Sequence, residues 1–134
     1  MDFTLPQRLQ AYIESELNLH ALYHAMAEAA PSEYERQIFL ELANNQRHHV
    51  QSFENVYASI IGGYYNPEMY PGKMNRPYQF ALRQLVVSER EKLHEYYDQS
   101  LKTSNYDLKR ACNEAASNKT DHINKLMKLM NNSD

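Results

Sequence analysis

The sequence predicts an all-α protein, an antiparallel four-helix bundle made of two helical hairpins joined by a long crossover. Four long segments place apolar residues on one helical face, at steps of three and four residues. Short polar turns separate the first segment from the second and the third from the fourth. With 134 residues, 43% of them hydrophobic, only three glycines and no tryptophan, the composition suits a single helical domain over residues 1–134.

We predict helices at about residues 6–30, 32–61, 77–102 and 105–130. Thr4 offers a capping hydroxyl and Gln7 can complete a capping box, so the first helix begins there. Pro31 ends this helix, and Ser32 with Glu35 forms the capping signal of the next one. A turn this short makes the first two helices antiparallel neighbours.

The connection between the second and third helices is long and rich in turn residues. Segment 62–77 holds all three glycines and three of the five prolines, so we predict a crossover loop at about 62–76. Such a crossover makes the second and third helices parallel. Pro77 fits the first turn of the third helix, and Ser104 with Asp107 is spaced as a capping pair for the fourth.

Polar residues interrupt each predicted inner stripe near its middle. They are Glu16 and His20 in the first helix, Gln46 and His49 in the second, Glu89 in the third, and Lys119 and His122 in the fourth. A buried polar group without a partner costs on the order of 1–3 kcal/mol. We therefore expect these residues to meet inside the bundle, where facing side chains usually build a metal or cofactor site.

The two halves of the chain also repeat each other. One constant shift pairs Glu16 with Glu89, Tyr23 with Tyr96, Gln46 with Lys119, and His49 with His122. Each half is then a hairpin that reads Glu-x6-Tyr and, further on, X-x-x-His. The matched residues are also those on the inner stripes, which argues against a chance match.

With these motifs the chain resembles the rubrerythrin-like proteins of the ferritin-like diiron-carboxylate superfamily. Their halves carry Glu-x6-Tyr on one helix and Glu-x-x-His on the next, and the resemblance runs from Arg8 to about Leu129. It implies a ferritin-like bundle with two irons at its middle, and an oxidoreductase that acts on peroxide or oxygen. Whether this chain is an active enzyme stays open at this point.

Carried over residue by residue, the resemblance assigns a set of site residues. Glu16 and Glu89 match terminal carboxylate ligands, His49 and His122 match histidine ligands, and Tyr23 and Tyr96 match tyrosines close to the metals. The two tyrosines are candidates for a catalytic role, with core packing as the equal alternative. His20 could replace a lost ligand, although we favour the alternative that it is hydrogen-bonded to a neighbouring carboxylate or tyrosine.

The chain differs from the family pattern at the two positions where the family has metal-bridging glutamates. Gln46 and Lys119 occupy those positions, and an ammonium cannot bridge metal ions. With Glu16 and Glu89 ionised and Lys119 protonated, two divalent ions would leave a charge of +3 in the core, one ion would leave +1, and no ion would leave −1. We therefore expect at most one iron, with zinc or manganese as alternatives, or no metal and Lys119 bridging the two glutamates in its place.

Two functions follow from this sequence. The first is a metal-binding protein of oxidase or peroxidase ancestry that keeps a metal through Glu16, His49, Glu89 and His122, with Gln46 and His20 as further candidates. The second is a catalytically inactive structural or interaction protein. Analogy to degenerate proteins of this architecture in spore-forming bacteria extends the second to a sporulation-associated role.

Composition and charge indicate which classes of binding partner to expect. The net charge is −3 without a basic stripe, so we expect no nucleic acid. No apolar run is long enough to span a membrane and no signal peptide is evident, so we expect a cytoplasmic protein. Tyrosines around the crossover, Tyr64, Tyr65, Tyr70 and Tyr78, favour a homodimer. The redox partner cannot be read from the sequence.

Overall fold

The computed structural model describes residues 4–67, 72, 74 and 76–132, and within them the chain forms four helices and no strand. These are α1 (Leu5–Ala29), α2 (Glu33–Ile61), α3 (Tyr78–Lys102) and α4 (Tyr106–Asn132). The predicted all-α class is confirmed, and no helix end lies more than two residues from its predicted position.

The capping residues predicted for the first hairpin lie where the helices begin. Thr4 and Gln7 form a complete capping box, with each side chain accepting a hydrogen bond from the other residue's backbone N–H. The Ser32 hydroxyl accepts from the backbone N–H of Glu35 at 3.1 Å. These bonds satisfy N–H groups that have no partner in the first helical turn.

The second hairpin begins differently from the prediction. α3 starts at Tyr78, so Pro77 precedes the helix instead of forming its first turn. The α4 cap is Asn105 and not Ser104, because the Asn105 side-chain carbonyl accepts from Leu108 N at 2.9 Å. An asparagine is at least as good a cap as a serine, and a shift of one residue here leaves the helix pattern intact.

Contacts between helices show the chain direction. Side chains of α4 and α2 pair in reverse order, with Asn118 on His49, His122 on Asn45, and Lys125 on Glu41. α4 is therefore antiparallel to α2, and the short 103–105 turn makes it antiparallel to α3 as well. It follows that α2 and α3 are parallel, as the predicted crossover requires.

The described part of the crossover contacts both α1 and α2. The Tyr65 hydroxyl donates to Glu14 at 2.7 Å, and its backbone N–H donates to Glu54 at 3.1 Å. Further on, Gly72 lies so close to α1 that a Cβ on it would stand 2.4 Å from the backbone carbonyl atoms of Ala21. A glycine is needed there because of this approach, since the atoms in the way are backbone and cannot rotate aside.

The bundle interior is divided into two apolar clusters. One contains Leu19, Tyr23, Met26, Phe39, Leu42, Leu82, Leu85, Leu126 and Leu129 among its buried residues. The other contains Leu9, Tyr12, Ile13, Phe53, Val56, Tyr96, Leu108 and Cys112 among its own. Between them in sequence, on all four helices, stand buried polar residues. Among the helices that the structure describes, none combines the length and the apolar character needed to cross a membrane.

We predict that Gly72→Ala destabilises the fold by on the order of 1–3 kcal/mol, because the new methyl group meets the α1 backbone. Urea unfolding followed by circular dichroism measures the loss. Gly63→Ala is the matched control, since a Cβ at Gly63 meets nothing within 4 Å, and it should change the free energy of unfolding by no more than about 0.5 kcal/mol. Equal effects of the two substitutions would contradict the close approach.

Candidate functional site

Six polar side chains form one layer across the bundle, which we call the polar layer. Its members are Glu16 from α1, Gln46 and His49 from α2, Glu89 from α3, and Lys119 and His122 from α4. His49 is 3% exposed and the other five are fully buried. Buried polar groups need partners, so the hydrogen bonds within this layer decide whether it stabilises the fold.

Lys119 lies at the centre of the polar layer. Its ammonium contacts a Glu16 oxygen at 2.9 Å, Glu89 Oε1 at 3.0 Å and Gln46 Oε1 at 3.0 Å. An ammonium has three hydrogens to donate, and the three side chains supply one acceptor for each. The buried cation is therefore fully hydrogen-bonded and faces two carboxylates.

The Glu16 carboxylate is held in its charged form. Burial alone would raise its pKa, but the ammonium of Lys119 and the hydrogen bond from His49 outweigh burial and lower the pKa to about 2. With Glu16 and Glu89 ionised and Lys119 charged, the layer carries −1. That is close to balance for a dry interior, where a free charge would be costly.

Gln46 connects the ammonium to the second glutamate. Its carbonyl oxygen accepts from Lys119, and its amide nitrogen donates to Glu89 Oε1 at 3.3 Å. A glutamate at this position could accept from Lys119 but could not donate to Glu89. Gln46 and Lys119, the two residues that the internal repeat pairs with each other, thus have complementary hydrogen-bonding groups.

Each histidine of the layer faces a glutamate through Nδ1. His49 Nδ1 is 3.2 Å from Glu16 Oε1, and His122 Nδ1 is 2.7 Å from Glu89 Oε2. Because a carboxylate can only accept, Nδ1 carries the hydrogen in both rings. The ring nitrogen that points into the layer therefore has no free lone pair for a metal ion in this arrangement.

Two asparagines that we did not single out from the sequence support the histidines from outside the layer. The Asn118 amide lies 2.9 Å from His49 Nε2, and the Asn45 amide lies 3.4 Å from His122 Nε2. Asn45 and Asn118 directly precede Gln46 and Lys119, so the same repeat relates them. The internal repeat is the sequence signal that could have identified these two asparagines, but both lie off the inner stripes.

Tyr23 and Tyr96 are fully buried beside the polar layer. Burial, and then the charge of Glu89, raises the pKa of Tyr23 well above its usual value, while burial and then Glu16 do the same for Tyr96. Within the described residues neither hydroxyl makes a hydrogen bond of regular geometry. Each tyrosine therefore lies near the glutamate of the opposite half, and both are protonated at neutral pH.

His20 stands apart from this network. Its Nδ1 is 2.7 Å from the backbone carbonyl oxygen of Ala43, and its ring packs against that of His24. The hydrogen-bonded state favoured above is thus the one present, although the partner is a backbone carbonyl and not a carboxylate or tyrosine. In this position His20 makes no hydrogen bond to the other candidate ligands.

The residues of the polar layer do not fit a two-metal centre. Lys119 approaches both carboxylates to ion-pair distance, and two divalent ions beside it would leave +3 in a fully buried layer. Across the described residues, moreover, no three His, Cys, Asp or Glu side chains converge in an arrangement able to hold a metal ion. The chemistry of the donor set favours an internal ion pair.

Comparison with known proteins shows the fold and no family. No family model matches the sequence, and no curated protein matches it. A solved structure of a hypothetical protein from Pyrococcus furiosus superimposes with a TM-score of 0.84 at 18% identity, covering 97% of this chain and 90% of that one. The likeness extends over the whole bundle and shows that the chain has the same helical fold as that protein.

We predict that Lys119→Met lowers the free energy of unfolding by about 3–5 kcal/mol at pH 7, because it leaves two buried carboxylates without their cation. Urea unfolding measures the loss. Lys125→Met is the matched control on the same helix, where the Lys125–Glu41 pair is solvent-exposed and worth at most about 1 kcal/mol.

A second variant separates charge from packing. Lys119→Met combined with Glu89→Gln leaves one uncompensated carboxylate instead of two, so part of the lost stability should return. Equal small losses for Lys119→Met and Lys125→Met would show that the ion pair does not hold the interior together.

Proposed function

We propose that this chain is a ferritin-like protein in which the ammonium of Lys119 has replaced the metal ions, and that it acts as a catalytically inactive structural or interaction protein. The observation that carries the proposal is the fully buried ammonium, which contacts Glu16, Gln46 and Glu89 at 2.9–3.0 Å. The repeat of Glu-x6-Tyr and X-x-x-His supports the ferritin-like ancestry.

Electrostatics and access argue against oxidase or peroxidase chemistry in this layer. A reaction with oxygen or peroxide needs an electron source that the substrate can reach. Lys119 cannot supply electrons, and five of the six polar side chains have no exposed surface. The buried tyrosines keep their protons, since burial raises the pKa of both Tyr23 and Tyr96.

A metal-retaining protein is the second candidate. The observation that favours it is the survival of both glutamate–histidine pairs, Glu16 with His49 and Glu89 with His122. One iron, zinc or manganese ion could use these pairs only after Lys119 had moved out of the centre and the histidine Nδ1 had given up its hydrogen. Both steps oppose binding, so we place this candidate second.

The homodimer and the sporulation-associated role stay predictions, like the cytoplasmic location. Of the tyrosines around the crossover, Tyr64 is exposed, Tyr65 donates a hydrogen bond to Glu14 of its own chain, and the Tyr78 ring packs edge-on against the Phe39 ring. Tyr70 lies outside the described residues. Tyr64 is accordingly the crossover tyrosine best placed to contact a second copy.

The proposal predicts that the wild-type protein unfolds at the same temperature in EDTA and in excess Fe²⁺ under anaerobic conditions. Lys119→Glu is the positive control, because a third carboxylate makes the layer a site for a divalent cation. Binding to the native state alone then raises stability by about 2.7 kcal/mol when the metal concentration is about 100 times Kd. Differential scanning calorimetry measures the unfolding temperature of the wild-type protein and of Lys119→Glu under each condition.

A wild-type midpoint that falls in EDTA or rises with Fe²⁺ would overturn the metal-independent assignment and restore the second candidate. His122→Gln would then test whether the metal lies in the polar layer, because removal of one glutamate–histidine pair should abolish the metal-dependent shift.

A further inference from the structure

His20 and His24 lie one turn apart on α1, outside the polar layer. Their ring centroids are 4.7 Å apart, and the ring planes meet at 82°. His24 is exposed and His20 is half-buried, so the pair opens to solvent. Residues separated by four positions share a helix face, and α1 is regular through both of them.

The hydrogen bond of His20 determines which ring nitrogen is available. Nδ1 lies 2.7 Å from the Ala43 carbonyl oxygen, which can only accept, so Nδ1 carries the hydrogen. Nε2 then carries the lone pair, and it has no hydrogen-bond partner among the described residues. Histidines that bind metals commonly have this arrangement, with the second ring N–H donated to a backbone carbonyl.

We propose that His20 and His24 form a two-histidine chelate for a divalent transition metal, with copper or nickel bound most tightly and water completing the coordination. Imidazole nitrogen suits these ions, and among divalent metals copper forms the strongest complexes with such ligands. Because α1 already holds the two rings in contact, little freedom is lost when the ion binds.

The charges around the pair act in both directions. Arg47 of α2 lies close enough to His20 to oppose a bound cation, whereas Glu28 stands one further turn along α1 from His24 and favours it. Burial, before any neighbouring charge, lowers the pKa of His20, so this ring is neutral and able to bind metal at neutral pH.

This site is separate from the polar layer and does not depend on the proposed function. The His20 ring is tied to the α2 backbone at Ala43, and His24 reaches solvent. By contrast, Lys119 lies fully buried between Glu16 and Glu89. A metal ion could therefore bind at the surface of α1 while the centre of the bundle remains an ion pair.

The test is a titration of the full, untagged chain with Cu²⁺, followed by isothermal titration calorimetry and electron paramagnetic resonance. Wild type should bind one equivalent with hyperfine coupling to two imidazole nitrogens. His24→Gln should weaken binding by about 10- to 100-fold and leave one coupled nitrogen. His94→Gln is the matched control, an exposed histidine on α3 without a histidine neighbour, and should match wild type.

Copper affinity that is unchanged in His24→Gln would overturn the proposal, as would a loss of similar size in His94→Gln. His20→Gln provides an independent check, because it should reproduce the loss seen for His24→Gln. Circular dichroism confirms that each variant folds, and since His24 and His94 are exposed, neither substitution disturbs the core.

Discussion

The structure depends on one buried cation. Lys119 crosses the interior and offers its three hydrogens to Glu16, Glu89 and Gln46, in a layer where no water is needed to satisfy it. Removing the ammonium alone would leave two carboxylates in a low-dielectric interior, and removing the carboxylates alone would leave a buried ammonium. The four helices are thus held in one arrangement by an interaction that requires a residue from α1, α2, α3 and α4.

Around this cation the two halves of the chain keep an approximate twofold relation. Each histidine contacts the glutamate of its own hairpin through Nδ1, and each has the side-chain amide of an asparagine from the opposite hairpin at Nε2. The relation fails at Gln46 and Lys119, which stand 73 residues apart and bond to each other. A metal site needs ligands with free lone pairs, whereas Lys119 supplies only donors, and Gln46, Glu16 and Glu89 supply the acceptors.

The fold and the members of the polar layer could be predicted from the spacing of apolar residues in the sequence. Buried positions on a helix recur every three to four residues, so a polar residue at such a position is easily recognised. What could not be read were features that depend on distance in space. Asn105 replaces Ser104 as a cap because several polar residues at a turn compete for the same backbone N–H. The roles of Asn45 and Asn118 were not predicted because both residues lie beside the inner stripe and not on it. The need for glycine at position 72 was not predicted because it arises from contact with the α1 backbone, about 50 residues earlier in the chain.

We propose that the ammonium of Lys119 stands at the centre of the bundle in place of iron. Inductively coupled plasma mass spectrometry on untagged protein from cells grown in iron-rich medium measures the iron content per chain and so tests this replacement. We predict a folded protein with far less than one iron per chain, because an iron ion would have to displace the ammonium that contacts both buried carboxylates. One or two irons per chain that are lost on His49→Gln or His122→Gln substitution would contradict it.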